Sequence, residues 1–272
     1  MLGAIVGDIV GSCYEWHNIK TTDFPLFSER SRFTDDTVMS VAVWIGLSAG
    51  HGDPESSREL LMDAMHIYGR LYPRAGYGGR FAHWLLHGLR EPYNSFGNGS
   101  AMRVSSAGWL YDSLEDVETY AEISAEVTHN HPEGIKGAQS VAGAIFLARS
   151  GATKEEIAAY ATSRHGYDLS SSLDDIRPLY RFDVTCQGSV PQALRAFLES
   201  ETFEDAVRKA VSIGGDSDTI AAIAGSVAEA FYGGVPESVA QEALARLDDR
   251  LRAEVRAFQQ RTATKRSVST FS

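Results

Sequence analysis

The amino-acid sequence predicts an all-α fold, a compact single domain of ten or more helices. Apolar residues recur at spacings of three, four and seven along most of the 272-residue chain, as they do in amphipathic helices. Strict alternation of apolar and polar residues, which is typical of half-buried strands, is scarce. The one short stretch of this kind, residues 182–185, is too short to support a sheet.

Five apolar stripes predict the principal helices in chain order. Their members are Val38, Val41, Ala42 and Ile45; Ala138, Val141, Ala142, Ile145 and Phe146; Phe203, Ala206, Val207, Ala210 and Val211; Ile220, Ile223, Ala224, Val227, Ala228 and Phe231; and Leu244, Leu247, Leu251, Val255 and Phe258. Each stripe lies on one face of a helix with 3.6 residues per turn.

Signals for helix starts agree with these stripes. Thr153 with Glu156 has the spacing of a capping box, in which each side chain bonds the other residue's backbone N–H. Pro54, Pro132 and Pro236 lie where a first-turn proline is tolerated, because the first N–H groups of a helix have no intrahelical partner.

Composition excludes several classes of protein. Apolar residues make up 43% and charged residues 22%, so the chain is not disordered. The net charge of −11 argues against a dedicated nucleic-acid-binding surface, and no apolar run is long enough for a membrane helix. Cys13 and Cys186 are too few for a disulfide framework, which indicates a reducing, cytoplasmic location. We expect a monomer with one domain over residues 1–258 and a polar tail over 259–272.

Four glycine-containing segments interrupt the helical pattern: residues 1–20, 74–80, 94–103 and 212–219. Glycine loops that lead into helices expose backbone N–H groups, which bind anions such as phosphate. The simpler interpretation is that these glycines form turns and cap helices. Several such segments in one acidic chain favour a phosphate-bearing ligand held by backbone.

Two acidic clusters open the stripes at Val38 and Ile220. They consist of Thr34, Asp35, Asp36 and Thr37, and of Asp216, Ser217, Asp218 and Thr219. One carboxylate stabilises a helix start, but two at a buried start repel each other unless a cation lies between them. Oxygen ligands suit Mg²⁺ or Mn²⁺, and the set is large enough for two ions. The alternative is two independent capped helices with exposed acids.

Six stretches of the chain together resemble the ADP-ribosylglycohydrolase family. They are GAIVGDIVGSCYEWHN, RFTDDTVM, GYGG, SFGNGSAMRV, THNHPEGIKGA and IGGDSDTIAAIAGSVAEAFYG, and they follow in this order between positions 3 and 233. The resemblance implies an all-α fold with a binuclear Mg²⁺ or Mn²⁺ centre.

The resemblance also implies roles for individual residues. The metal ligands would be Thr34, Asp35 and Asp36 from one side and Asp216, Asp218 and Thr219 from the other. Glu15 matches a mobile glutamate, implicated in catalysis and in gating substrate entry, in the family branch that acts on serine-linked and poly-ADP-ribose. The substrate-binding residues would be Gly76, Tyr77 and Gly78 near the pyrophosphate and distal ribose; Ser95, Phe96, Gly97, Asn98 and Gly99 along the ADP-ribose cleft; and the pocket histidine His129.

The expected function is hydrolysis of an N- or O-glycosidic bond at the anomeric carbon of the distal ribose of ADP-ribose. Glu15 is the first candidate for the catalytic carboxylate, and a metal-bound aspartate, Asp35, is the second. The partner is the ADP-ribose moiety of a modified molecule, linked through arginine, serine or nucleic acid. Three alternatives stay open: a binuclear-metal phosphohydrolase that cleaves the pyrophosphate, a non-catalytic ADP-ribose sensor, and a structural protein.

Overall fold

Helices and their connections build the protein. A computed structural model describes residues 1–266, with side chains to residue 263. These residues contain fifteen α-helices: α1 Leu2–Gly11, α2 Asp35–Ala49, α3 Pro54–Leu71, α4 Gly79–Leu86, α5 Gly99–Met102, α6 Ala107–Leu110, α7 Leu114–Glu126, α8 Pro132–Arg149, α9 Lys154–His165, α10 Leu173–Leu179, α11 Cys186–Leu198, α12 Phe203–Ser212, α13 Ser217–Phe231, α14 Glu237–Ala245 and α15 Asp249–Arg266. Strand-like pairing in this range is a single bridge between Gly97 and Thr185, so the all-α prediction is confirmed.

Helix α13 lies at the centre of the fold. Every residue from Ser217 to Ala230 is buried, and the helix packs against α1, α8, α11 and α12. Its sequence contains two charged residues, Asp218 and Glu229, which is why it can be buried on all faces. No helix in the described part of the chain is both long and apolar enough to cross a membrane.

Helix α1 corrects the prediction that residues 1–20 form a glycine loop. The whole of α1 is buried, and its glycines Gly3, Gly7 and Gly11 recur every four residues on the side that faces α13. A Cβ atom on Gly7 would lie 2.0 Å from the carbonyl oxygen of Ala221. The glycines therefore allow two helix backbones to pack in direct contact.

The predicted helix starts agree with the structure in most places. The Thr153–Glu156 capping box forms at α9, and Pro54 and Pro132 are the first residues of α3 and α8. Pro236 lies one position earlier than predicted, as the residue before α14.

The fifth predicted stripe is divided between two helices. Its first residue, Leu244, lies in the last turn of α14, which ends at Ala245, and α15 begins at Asp249 after a short turn. This break arises because the Asp248 carboxylate accepts the N–H of Leu251 at 2.9 Å and caps the new helix. Helix α15 then continues into the stretch predicted as a polar tail, which begins at residue 259, and Thr262 is buried. Residues 267–272 of that tail lie outside the described residues.

Candidate active site

The two acidic helix starts meet at one place. Carboxylate oxygens of Asp8, Asp36 and Asp218 lie within 4.8 Å of one another, and those of Glu15, Asp216 and Asp218 form a second such group. Asp218 belongs to both groups and joins them. Because Asp36, Asp216 and Asp218 are buried, the alternative of two independent helices with exposed acids does not describe them.

Local sequence explains how each helix start presents its acids. Thr34 caps α2, and its hydroxyl oxygen accepts the N–H of Asp36 at 3.3 Å. At α13 the capping position is occupied by Asp216. Gly214 and Gly215 both adopt positive φ angles, 72° and 71°, which glycine adopts without steric cost. They turn the chain from the end of α12 directly into α13.

Asp8, on α1, is a site residue that the sequence motifs do not reveal. It is fully buried, and its carboxylate accepts hydrogen bonds from Thr34 N at 2.9 Å, Thr34 Oγ1 at 2.7 Å, Thr37 N at 3.1 Å and the Thr37 hydroxyl. These bonds join α1 to the start of α2. The signal in the sequence is one acid inside an otherwise uncharged stretch, because a buried carboxylate needs donors.

The electrostatics of the cluster are unfavourable without positive charge. Burial raises the pKa of Asp36 and Asp218 well above the ordinary aspartate value, and neighbouring carboxylates add to the effect. Burial also raises the pKa of Asp216 to about 6 and that of Glu15 to about 7. Within residues 1–263, where side chains are described, the ion pairs of lysine and arginine all involve other acids.

The hydrogen bonding of one carboxylate oxygen indicates whether a cation fits this site. Asp36 Oδ1 is buried and accepts no hydrogen bond from the described residues, whereas Asp36 Oδ2 accepts the Thr219 hydroxyl at 3.4 Å. A buried carboxylate oxygen without a donor is costly unless a cation binds it. The surrounding donors are oxygen atoms of carboxylates and hydroxyls, the set that Mg²⁺ and Mn²⁺ prefer. The residues therefore fit a hard divalent cation.

The Gly76 loop borders Asp35, which is the least buried aspartate of the two helix starts. The Asp35 N–H donates to the Ala75 carbonyl at 2.9 Å, and a Cβ on Gly76 would lie 3.2 Å from Asp35 Oδ1. Gly76 has a φ of 114°, a backbone conformation that favours glycine. Tyr77 is half-buried and Gly78 is exposed, with no atom within 4 Å of a Cβ built there.

The loop at residues 95–99 reaches the opposite side of the cluster. Asn98 Nδ2 donates to Asp216 Oδ2 at 2.7 Å and to Ser189 Oγ at 2.8 Å. The Ser95 hydroxyl accepts the Gly97 N–H at 3.1 Å, which closes a tight turn. Phe96 is 44% exposed at the rim.

His129 is buried behind this loop. Its Nδ1 lies 2.7 Å from the Thr128 hydroxyl, and its Nε2 would be 3.1 Å from a Cβ on Gly99. Burial lowers the pKa of His129 well below the ordinary value, and the positive charges of Arg103 and Arg80 add to the decrease. His129 is therefore uncharged at neutral pH, with its Nε2 beside Gly99 at the start of α5.

The raised carboxylate pKa values predict an unusual pH dependence of stability. In the folded protein the pKa values of Asp216 and Glu15 lie above their ordinary values of 3.8 and 4.5, so both groups bind protons more tightly than in the unfolded chain. Their contribution to the stability of the chelated protein is therefore present at low pH and lost as pH rises through about 6 to 7. We expect Mg²⁺ to raise the melting temperature much more at about pH 8 than at about pH 5.5, measured by scanning fluorimetry. An equal increase at both pH values would contradict a cation at these acids.

Comparison with known proteins identifies the family. The family model described as ADP-ribosylglycohydrolase matches residues 1–268. ADP-ribosylhydrolase ARH3 of Mus musculus is 29% identical, with 88% of this chain and 84% of the relative covered. ADP-ribosylarginine hydrolase Tri1 of Pseudomonas putida (strain GB-1) is 26% identical, with 86% of this chain and 69% of that protein covered.

A solved structure gives the same result for the fold. The chain is similar to an ADP-ribosylglycohydrolase-related protein complex with a TM-score of 0.68 and 26% identity, and the match covers 96% of this chain and 97% of the other. With the family match over nearly the whole sequence, these findings show that the chain belongs to the ADP-ribosylglycohydrolase family of hydrolases, which act on ADP-ribosyl linkages.

Proposed function

We propose that this protein is a divalent-metal-dependent hydrolase that cleaves the glycosidic bond at the anomeric carbon of the distal ribose of ADP-ribose. The observation that carries the proposal is the buried acidic cluster, in which Asp218 joins two groups of carboxylates and Asp36 Oδ1 has no donor among the described residues. Two Mg²⁺ or Mn²⁺ ions would be held by Thr34, Asp35, Asp36, Asp216, Asp218 and Thr219.

The chain's own residues divide the work of the reaction. Bound cations supply positive charge that polarises ribose hydroxyls and acidifies water. Glu15 is only half-buried and lies beside Asp216 and Asp218, and its pKa of about 7 suits a group that exchanges a proton near neutral pH. Glu15 is therefore our first choice for the carboxylate that activates water or protonates the leaving atom, with Asp35 as second choice.

The loops around the cluster would bind the rest of ADP-ribose. Gly76 and Tyr77 lie beside Asp35, and Gly78 follows them in the same loop, on the side we assign to the pyrophosphate and distal ribose. Asn98 connects the second loop to Asp216, and the exposed Phe96 offers a ring face for the adenine end. We further propose that the chain acts as a cytoplasmic monomer, which agrees with two free cysteines.

A substrate panel tests the proposed function. Arginine-linked, serine-linked and nucleic-acid-linked ADP-ribose are each incubated with the protein and Mg²⁺ or Mn²⁺, and the products are separated. Release of free ADP-ribose from at least one substrate is the expected result, and the relative rates identify the linkage. AMP with ribose phosphate would indicate the phosphohydrolase instead, and thermal stabilisation by ADP-ribose without turnover would indicate a sensor. Either of these results would contradict the proposal.

A further inference from the structure

We propose that Trp16 is a positioning residue for Glu15, and that its stacking on Phe182 holds the glutamate side chain beside Asp216 and Asp218. The inference rests on the proposed function, because it assigns Glu15 the acid–base role. Trp16 follows Glu15 directly in the chain and is part of none of the interactions described for the acidic cluster above.

The exposure of Trp16 calls for an explanation. Its side chain is 74% exposed, whereas Trp44, Trp84 and Trp109 are each at most 5% exposed. A large aromatic ring left in water gains little hydrophobic stabilisation, so its exposed position beside the site points to another role. The Trp16 ring does have one partner. It stacks on Phe182 with ring centroids 5.4 Å apart and an interplanar angle of 23°.

The other edge of Trp16 interacts with Glu15. The indole N–H is the only hydrogen-bonding group of a tryptophan side chain, and it is a donor. Its interaction with the Glu15 carboxylate lowers the pKa of that group, which opposes the larger effects of burial and of Asp218. One ring thus interacts with the glutamate through its edge and with Phe182 through its face.

The segment that contains Phe182 is held in place by hydrogen bonds to the Asn98 loop. The Asn98 N–H donates to the Val184 carbonyl at 2.8 Å, and the Cys186 N–H donates to the Phe96 carbonyl at 3.0 Å. Since Asn98 also donates to Asp216, the Phe182 segment and the acidic cluster belong to one hydrogen-bonded unit. The stack therefore ties Glu15 to the loop that we assign to the substrate.

A separate contact fixes the backbone of the Glu15 turn. Asn18 Nδ2 donates to the carbonyls of Tyr14, Glu15 and Gly215, and Asn18 Oδ1 accepts the Gly215 N–H at 2.9 Å. Asn18 thus connects this turn to the loop before α13. It leaves the direction of the Glu15 side chain undetermined, and Trp16 is the neighbour that directs it.

Two substitutions separate the two contacts of Trp16. Trp16→Phe keeps a ring that can stack but removes the indole N–H, and Phe182→Leu removes the stacking ring but leaves the indole. We expect each to lower kcat for release of ADP-ribose by about tenfold to a hundredfold, because a displaced acid–base group loses that much efficiency. The KM should change less than twofold. Leu86→Ala is the matched control, since Leu86 is 81% exposed and lies at the end of α4, and it should leave kcat unaltered.

Tryptophan fluorescence gives a readout that does not depend on activity. Because Trp16 is the exposed tryptophan, acrylamide quenching of the protein reports mainly on its ring. Phe182→Leu should increase this quenching and Leu86→Ala should not. Unaltered kcat in both Trp16→Phe and Phe182→Leu would overturn the inference, and so would a raised KM with kcat unaltered, which indicates direct substrate contact. A wild-type chain that releases no ADP-ribose from any substrate refutes the proposed function, whereas active wild type with unaltered variants refutes only the role of Trp16.

Discussion

Replacing Asp218 with asparagine is expected to abolish release of ADP-ribose and at the same time to stabilise the metal-free protein. Asp218 belongs to both carboxylate groups of the cluster, so its loss weakens every cation that the cluster holds. Altering a residue that hydrogen-bonds a metal ligand lowers metal affinity or activity by about 10–100-fold. We therefore expect the loss of a shared ligand to lower kcat/KM by more than about a hundredfold.

The gain in stability has a physical reason of its own. Burial and the neighbouring Asp216 raise the pKa of Asp218, so the ionised carboxylate destabilises the fold when no cation is present. Asparagine removes that charge and keeps a side chain of similar size. In chelated buffer near pH 8, the free energy of unfolding should rise by about 2 kcal/mol, measured by denaturant titration.

Asp53→Asn is the matched control for this prediction. Asp53 also lies at a helix start, as the capping residue of α3, but its carboxylate is exposed and lies outside both carboxylate groups. Asparagine caps as well as aspartate, so neither activity nor stability should change. If Asp218→Asn kept normal turnover, or lost stability in chelated buffer, the acidic cluster would not be a cation site.

Replacing Gly7 with alanine is expected to destabilise the whole fold. Alanine in a helix interior is normally favoured over glycine by about 1 kcal/mol. At Gly7 the new Cβ would lie 2.0 Å from the carbonyl oxygen of Ala221 and 2.5 Å from the backbone nitrogen of Ala222. Backbone atoms of a buried helix cannot move aside, so the steric cost exceeds the gain.

The expected net loss is about 3 kcal/mol, the upper end for an overpacked core, or a fall of roughly 6–12 °C in melting temperature. Separation of α1 from α13 also displaces Asp8 and should weaken Mg²⁺ binding. Gly79→Ala is the control, because Gly79 opens α4 and a Cβ there meets no atom within 4 Å. A Gly7→Ala protein as stable as wild type would show that α1 and α13 are not in direct backbone contact.

Much of this fold follows from helical periodicity, and the exceptions have identifiable causes. The stripes at Val38, Ala138, Phe203 and Ile220 lie in α2, α8, α12 and α13. Helix α1 could not be predicted from periodicity, because glycine normally weakens a helix. The sequence does not show that another helix packs against these glycines. Only the spacing of four between Gly3, Gly7 and Gly11 indicates a helix face packed against another backbone.

The site was less predictable than the fold, because its contacts join distant parts of the chain. The acids at the starts of α2 and α13 are visible in the sequence, since two carboxylates precede an apolar stripe in each case. Asp8 accepts hydrogen bonds from Thr34 and Thr37, which lie 26 and 29 residues further along the chain. No local sequence pattern connects them to Asp8. The stack of Trp16 on Phe182 could not be predicted either, because nothing in the sequence indicates which residue Trp16 contacts.

The most direct test of the central claim is a metal titration of ADP-ribose release by the exhaustively chelated protein. We predict that turnover of the best substrate from the panel is absent in chelated buffer and returns on addition of Mg²⁺ or Mn²⁺. Calorimetry should show two ions bound per chain, with protons released near pH 6 because the pKa of Asp216 is raised to about 6. Full turnover in chelated buffer would contradict the claim that the buried carboxylates act by holding divalent cations.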